Sequence, residues 1–173
     1  NFNQHIAPII HTNCSPCHRP GEVGPFSLIT YEDVAKRSKF IKHVTQTHYM
    51  PPWFADPTFQ HYQNERLLTQ QEIDLITRWV DAGVPEGKKR HRPDSPVFQQ
   101  NSQMAIEPDL VLQMKAPFTI PGTGTEEFRY FSIPTNLEED VYLKAIEFRP
   151  DNRRYVHHSR IMLDTTNQIR GID

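Results

Sequence analysis

The chain of 173 residues contains only two cysteines, and they stand as Cys14-Ser15-Pro16-Cys17-His18. Two thiols three residues apart with an imidazole directly after them form the attachment pattern of haem c. The spacing has a mechanical basis: the thiols can add to the two vinyl groups on one edge of a porphyrin, and the next residue then offers its imidazole to the iron. His18 is the expected proximal ligand. A thioredoxin-like redox pair would need a strand-helix-strand context that the flanking sequence lacks. A zinc half-site has no further cysteine to complete it, and a plain disulfide leaves the adjacent histidine a coincidence.

A sixth iron ligand either is absent or comes from Met50, His43, His48, His61, Met104 or Met114. Met50 leads, because it follows a helical pattern and directly precedes Pro51-Pro52-Trp53, where prolines fix the chain and place a thioether. His43 and His48 are its rivals and would give a bis-histidine haem of lower potential. Trp53 is expected to pack against the haem, although a core tryptophan would read the same way.

Around this motif the pattern is helical. Ile6, Ile9 and Ile10 predict a short helix over 3–13 with Pro8 limiting its length, and the prolines and glycines of 15–28 predict a loop. A helix begins after Thr30, directs Val34, Phe40, Ile41 and Val44 inward, and ends before Pro51. The third helix has the strongest signature: a capping box at Thr69-Gln70-Gln71-Glu72, apolar positions at Leu75, Ile76, Trp79 and Val80, and a Gly83 stop before Pro85. Fifteen prolines against seven glycines argue against long uninterrupted helices.

Residues 89–105 lose this periodicity and read as a linker. From there the period becomes 2: Leu110, Leu112 and Met114, then Phe128 and Tyr130, then 141–148 and 155–163 alternate as strands. The expected architecture is therefore α + β in two parts. A small all-α cytochrome c domain at 1–88 is followed by an incomplete antiparallel β-sandwich-like segment of jelly-roll type at 106–173.

Hydrophobic residues make up 36% and mean hydropathy is -0.65, so small cores are expected. The net charge of -2 provides no broad basic field for nucleic acid, and no apolar run reaches the length of a membrane span. The basic run 88–92 reads as a solvated tether.

A second group with metal chemistry is Val156-His157-His158. Neighbours on a regular strand face opposite ways, so both imidazoles reach one copper only at a bulge or strand end. One buried and one exposed histidine is the alternative.

In their order and spacing, Cys14-Ser15-Pro16-Cys17-His18, Gly21 through Pro25-Phe26, Met50-Pro51-Pro52-Trp53, Asn64-Glu65-Arg66-Leu67 and the run from Ile76 to Gly87 resemble a known family. These are the short c-type cytochrome domains at the N-termini of bacterial secreted copper-monooxygenase-like proteins. The resemblance covers about residues 3–88 and implies Met50 as the distal ligand and a periplasmic or extracellular location. Residues 108–173 resemble the start of the ascorbate-dependent copper type II monooxygenases, the group of peptidylglycine α-hydroxylating monooxygenase and dopamine β-monooxygenase. That likeness rests on Pro108-Asp109-Leu110, Glu147-Phe148-Arg149-Pro150 and Val156-His157-His158. It implies His157 and His158 as two of three imidazoles on an electron-transferring copper, but no histidine follows His158. The chain is therefore expected to be part of a longer protein or to be completed by a partner.

Three functions follow as expectations. The first is an electron-transfer module carrying one covalent haem c that serves a redox partner protein or a downstream copper domain. The second is part of a haem-containing copper-dependent C–H hydroxylase. The third is a redox-sensing or assembly module in a multi-haem relay. No catalytic side chain is assigned within the chain itself, and association with itself or with another chain is left open.

Overall fold

A computed structural model describes residues 1–63, 65–98, 104, 106–124, 126–156, 158–166 and 168. The chain divides into two compact units, Asn1–Gln99 with Pro150–His157, and Gln100–Arg149 with His158–Asp173. The first unit thus takes in residues 89–99 and 150–157 beside the helical stretch.

In that unit a π-helical turn, Phe2–Ile6, runs into α1, Ala7–Asn13. Pro8 sits in the first turn of α1. α2, Tyr31–Ala35, opens on a capping box: the Thr30 hydroxyl accepts from the Asp33 amide and the Asp33 carboxylate accepts from the Thr30 amide. α3, Ser38–Gln46, follows after a break at Lys36 and Arg37. The sequence predicts one helix here. The Arg37 amide instead bonds three residues back to the Val34 carbonyl at 3.1 Å, and Arg37 takes ψ of 11°, which ends the α-helical ladder. The break also changes which side chains face inward: Val34, Ile41 and Val44 are buried, whereas Phe40 is 54% exposed.

α4, Gln70–Asp81, begins at the predicted Thr69–Glu72 box, both halves of which form. Its end is a Schellman motif. The Gly83 amide bonds the Val80 carbonyl at 3.1 Å, the Val84 amide bonds the Trp79 carbonyl at 3.0 Å, and Gly83 has φ of +81°, where a side chain is strained.

The core joins these pieces across the sequence. Phe2, Ile6, Ala7, Ile9, Ile10, Leu28, Val34, Ile41, Ile76 and Trp79 form one buried cluster. Each large apolar side chain in it contributes about 1.5–3 kcal/mol. Hydrogen bonds close the loop from end to end: the Phe2 amide to Pro85 O (2.8 Å), the Asn3 amide to Glu86 O (3.0 Å), Trp79 Nε1 to Pro85 O (3.1 Å) and the Tyr31 hydroxyl to Val84 O (2.8 Å). The first residues of the unit are thus tied to the segment that follows α4.

The expected β-sandwich is not present. Among the described residues there are no β-strands and no sheet, and outside the short helices the chain is turn and irregular backbone. Alternation builds a sheet only when ladder hydrogen bonds form and one face is covered. In the second unit Leu110, Leu112, Met114, Phe128, Tyr130, Val141, Leu143, Ile146 and Phe148 are all exposed. Its ring contacts include Phe118 edge-on to Phe131 at 5.9 Å, with Arg129 over the Phe118 ring at 5.1 Å. The α + β assignment is accordingly corrected to short helices in otherwise irregular chain.

Candidate functional site

The end of α1 becomes the cysteine turn without interruption. The Cys14 and Ser15 amides both bond the Ile10 carbonyl, at 2.8 and 2.9 Å, and the Cys17 and His18 amides both bond the Cys14 carbonyl, at 3.2 and 2.9 Å. Cys14, Cys17 and His18 therefore stand at helical offsets of three and four, which places neighbouring side chains on one face. Ser15 is fully buried, and its hydroxyl bonds Leu28 O at 2.7 Å and Ile10 O at 3.2 Å, locking the turn to the loop that returns from residue 28.

His18 is fixed at both backbone and ring. Its carbonyl accepts from the Leu28 amide at 2.9 Å, and Nδ1–H donates to the Phe26 carbonyl at 3.2 Å, which leaves Nε2 with its lone pair. Burial pulls the ring pKa down, with a further lowering from Arg37 that the Phe26 bond opposes. The neutral imidazole is the form that ligates a metal.

Gly24 makes this approach possible. Its amide bonds Cys17 O at 2.9 Å, and a Cβ there would lie 2.6 Å from that oxygen and 2.8 Å from both Cα and Nδ1 of His18. The Phe26 ring lies 4.8 Å from the His18 ring, and the Arg37 guanidinium lies 4.3 Å from the Phe26 ring centre.

Cys14 is the more sequestered thiol. Burial, with Cys17 beside it, pushes its pKa up to about 12. A dithiol oxidoreductase needs a thiolate near neutral pH, so a thioredoxin-like role is disfavoured on this ground as well as on context.

Met50 is presented by the end of α3. The Tyr49 and Met50 amides both bond the Val44 carbonyl, at 2.9 and 3.0 Å, and the His48 amide bonds Thr45 O at 3.2 Å. This is a second Schellman motif, with His48 at φ of +54° in the place that glycine usually takes. Half-buried Met50 lines a small cavity with Thr45, His48, Pro51, Arg66, Leu67 and Leu68. Arg66 Nη1 is also 3.7 Å from Cys17 Sγ, so one guanidinium touches both the cysteine turn and the surroundings of Met50.

Trp53 lies edge-on to Tyr62 at 6.2 Å, and its Nε1–H is buried with no partner among the described residues. Between α3 and α4 the described residues form no regular structure, and Tyr49, Phe54 and Phe59 are 65%, 98% and 86% exposed.

Of the other candidates, His48 lines the same small cavity as Met50. His43 and His48 are exposed on and just after α3, and His61 Nδ1 bonds the Glu65 carboxylate at 2.7 Å. Met104 and Met114 belong to the second unit. His157 lies outside the described residues, and the His158 ring is 5.9 Å from that of Phe128. Among the described residues no three His, Cys, Asp or Glu side chains gather to hold a metal ion, and no helix is long and apolar enough to cross a membrane.

Sequence reasoning did not single out Gly24, the Phe26 carbonyl, Arg37 or Arg66. The Gly24-Pro25-Phe26 triplet is a turn signal at a fixed distance from His18, and it was legible as a support for that residue. Arg66 stands in the Asn64–Leu67 stretch of the resemblance, but nothing local marks its contact with Cys17, which spans 49 residues of sequence. The chain matches no protein-family model, no curated protein and no solved structure.

Proposed function

We propose that this chain is a one-haem c-type electron-transfer module. The observation that carries the proposal is the cysteine turn itself: Cys14, Cys17 and His18 on successive helical offsets, with burial lowering the His18 pKa and the Nδ1–H bond to Phe26 leaving Nε2 open. Two further features fit a large planar group with polar substituents. Trp53 Nε1 is a buried donor with no partner among the described residues, and the loop after α3 exposes aromatic rings.

In this proposal Cys14 and Cys17 would hold the haem by thioethers, and His18 and Met50 would be the residues that ligate its iron. A haem c held there supplies a one-electron couple at iron. The protein's work is positional: the Phe26 carbonyl orients His18, the α3 end presents Met50, and Trp53 packs nearby and offers its N–H. Such a module acts outside the cytoplasm, in the periplasm or the extracellular space, and serves a redox partner. The acceptor to which the sequence points is a copper centre involving His157 and His158.

The test is an optical spectrum of the oxidised and reduced chain from a host that attaches haem c, with Met50→His alongside. A thioether-to-iron charge-transfer band that disappears in Met50→His, together with a fall in potential, is the expected result. A wild-type spectrum without that band refutes Met50 as the ligand.

A further inference from the structure

Two stretches of chain outside the helical core converge on the loop after the cysteine turn. The Arg19 Nε–H donates to Pro16 O at 3.2 Å, inside the attachment motif, while Arg19 Nη2 bonds Glu22 Oε1 at 2.8 Å. The same carboxylate oxygen accepts from Arg153 Nη1 at 3.0 Å, a contact across 131 residues of sequence. The Arg19 guanidinium also lies 4.2 Å from the ring centre of Phe98. All four residues belong to the first unit, Phe98 where the chain is about to leave it and Arg153 where the chain has come back.

The network is not a loose surface pairing. The side chains of Arg19 and Glu22 are 16% exposed and that of Arg153 is 25% exposed. One carboxylate holds two guanidiniums, so its loss leaves two like charges facing each other with nothing between them. Arg19 is itself tied to a backbone carbonyl of the haem-attachment motif, so whatever Glu22 holds is held to that motif.

We infer that Arg19 and Glu22 form a docking point on the haem-attachment loop for a downstream segment of this same chain, residues 150–156, with Phe98 fastened beside it. The inference rests on the electron-transfer role proposed above for its meaning: the segment that leads in sequence to His157 and His158 is fastened to the loop that carries Cys17 and His18. Glu22 is then a positioning residue that acts through Arg153.

Trypsin cleavage after Arg153 or Arg154 in the full chain, followed by mass and normalised to cleavage after exposed Lys115, tests the docking. Glu22→Gln should raise cleavage there on the order of tenfold, from loss of hydrogen bonds to a charged group. High salt should raise the wild-type rate toward that of Glu22→Gln and leave the variant nearly unchanged. Cleavage after Arg154, the site that remains once Arg153 is replaced, should be fast in Arg153→Glu alone and slowed again in the exchanged pair Glu22→Arg with Arg153→Glu. Equal cleavage in wild type and Glu22→Gln, at low salt and with haem attached to both, overturns the docking. Salt-sensitive protection in a chain that takes up no haem supports the docking while refuting the electron-transfer role, so the two failures are distinguishable.

Discussion

The helical core of the first unit and residues 106–149 of the second are both rich in large apolar side chains, yet only the first buries them. Ile6, Ile10, Val34 and Ile76 are at most 1% exposed, whereas Val141, Leu143 and Phe128 are 62%, 67% and 71% exposed. What separates the regions is how each stretch of chain is terminated and tied. Capping boxes at Thr30 and Thr69 start helices, Schellman motifs at His48 and Gly83 stop them, and long-range bonds from Phe2, Asn3 and Tyr31 to residues 84–86 close the set. Alternation in the second region has no such closure.

The largest effect should come from truncation in the core. Ile10→Ala is expected to cost about 2–5 kcal/mol in chemical denaturation, while Leu143→Ala should stay within about 0.5 kcal/mol. A comparable loss from Leu143→Ala would break the contrast between the regions. Gly24→Ala comes next, at about 1–3 kcal/mol, because the new Cβ meets Cys17 O and His18 Cα, which are backbone atoms. It should also lower the yield of haem-loaded protein, a readout that Ile10→Ala at equal stability need not move.

The two helix ends give a matched pair of opposite sign. Gly83→Ala forces a Cβ into the left-handed region and should destabilise by about 1 kcal/mol, whereas His48→Gly relieves the same strain and should stabilise by a similar amount. Thermal melts of both variants check the signs. The smallest effect is from pH. Burial raises the Asp33 carboxyl, but hydrogen bonds from Ser27, Thr30 and Ile29 outweigh it, so its pKa lies below the usual carboxylate range. A depressed folded pKa gives stability that is present above the unfolded value and lost as pH falls through the folded one. Asp33→Asn should therefore flatten the acid limb of the stability curve below about pH 4.

The parts of the fold visible in the sequence are those whose cause is local. The Thr69–Glu72 box, the Gly83 stop and the Cys14–His18 turn depend on residues within a few positions of one another. The α2–α3 break was hidden, because no proline or glycine marks Lys36 or Arg37. The strands were misread because period 2 states only that a stretch could present one face, and not that anything covers it. At the site, Cys14, Cys17, His18 and Met50 are proposed from residue type and spacing, and the structure adds the hydrogen bonds that hold their backbone. The Arg66 contact with Cys17 and the Arg19–Glu22–Arg153 network are not visible in the sequence, since each is made across the fold.

The most direct test of the central claim is the intact mass of the chain isolated from a host that attaches haem c, beside Cys14→Ser and Cys17→Ser. The account predicts a mass increased by one haem that resists denaturation and acid extraction, and its loss when both cysteines are replaced. An unmodified mass with two titratable thiols, from a host shown to mature other c-type cytochromes, would contradict it.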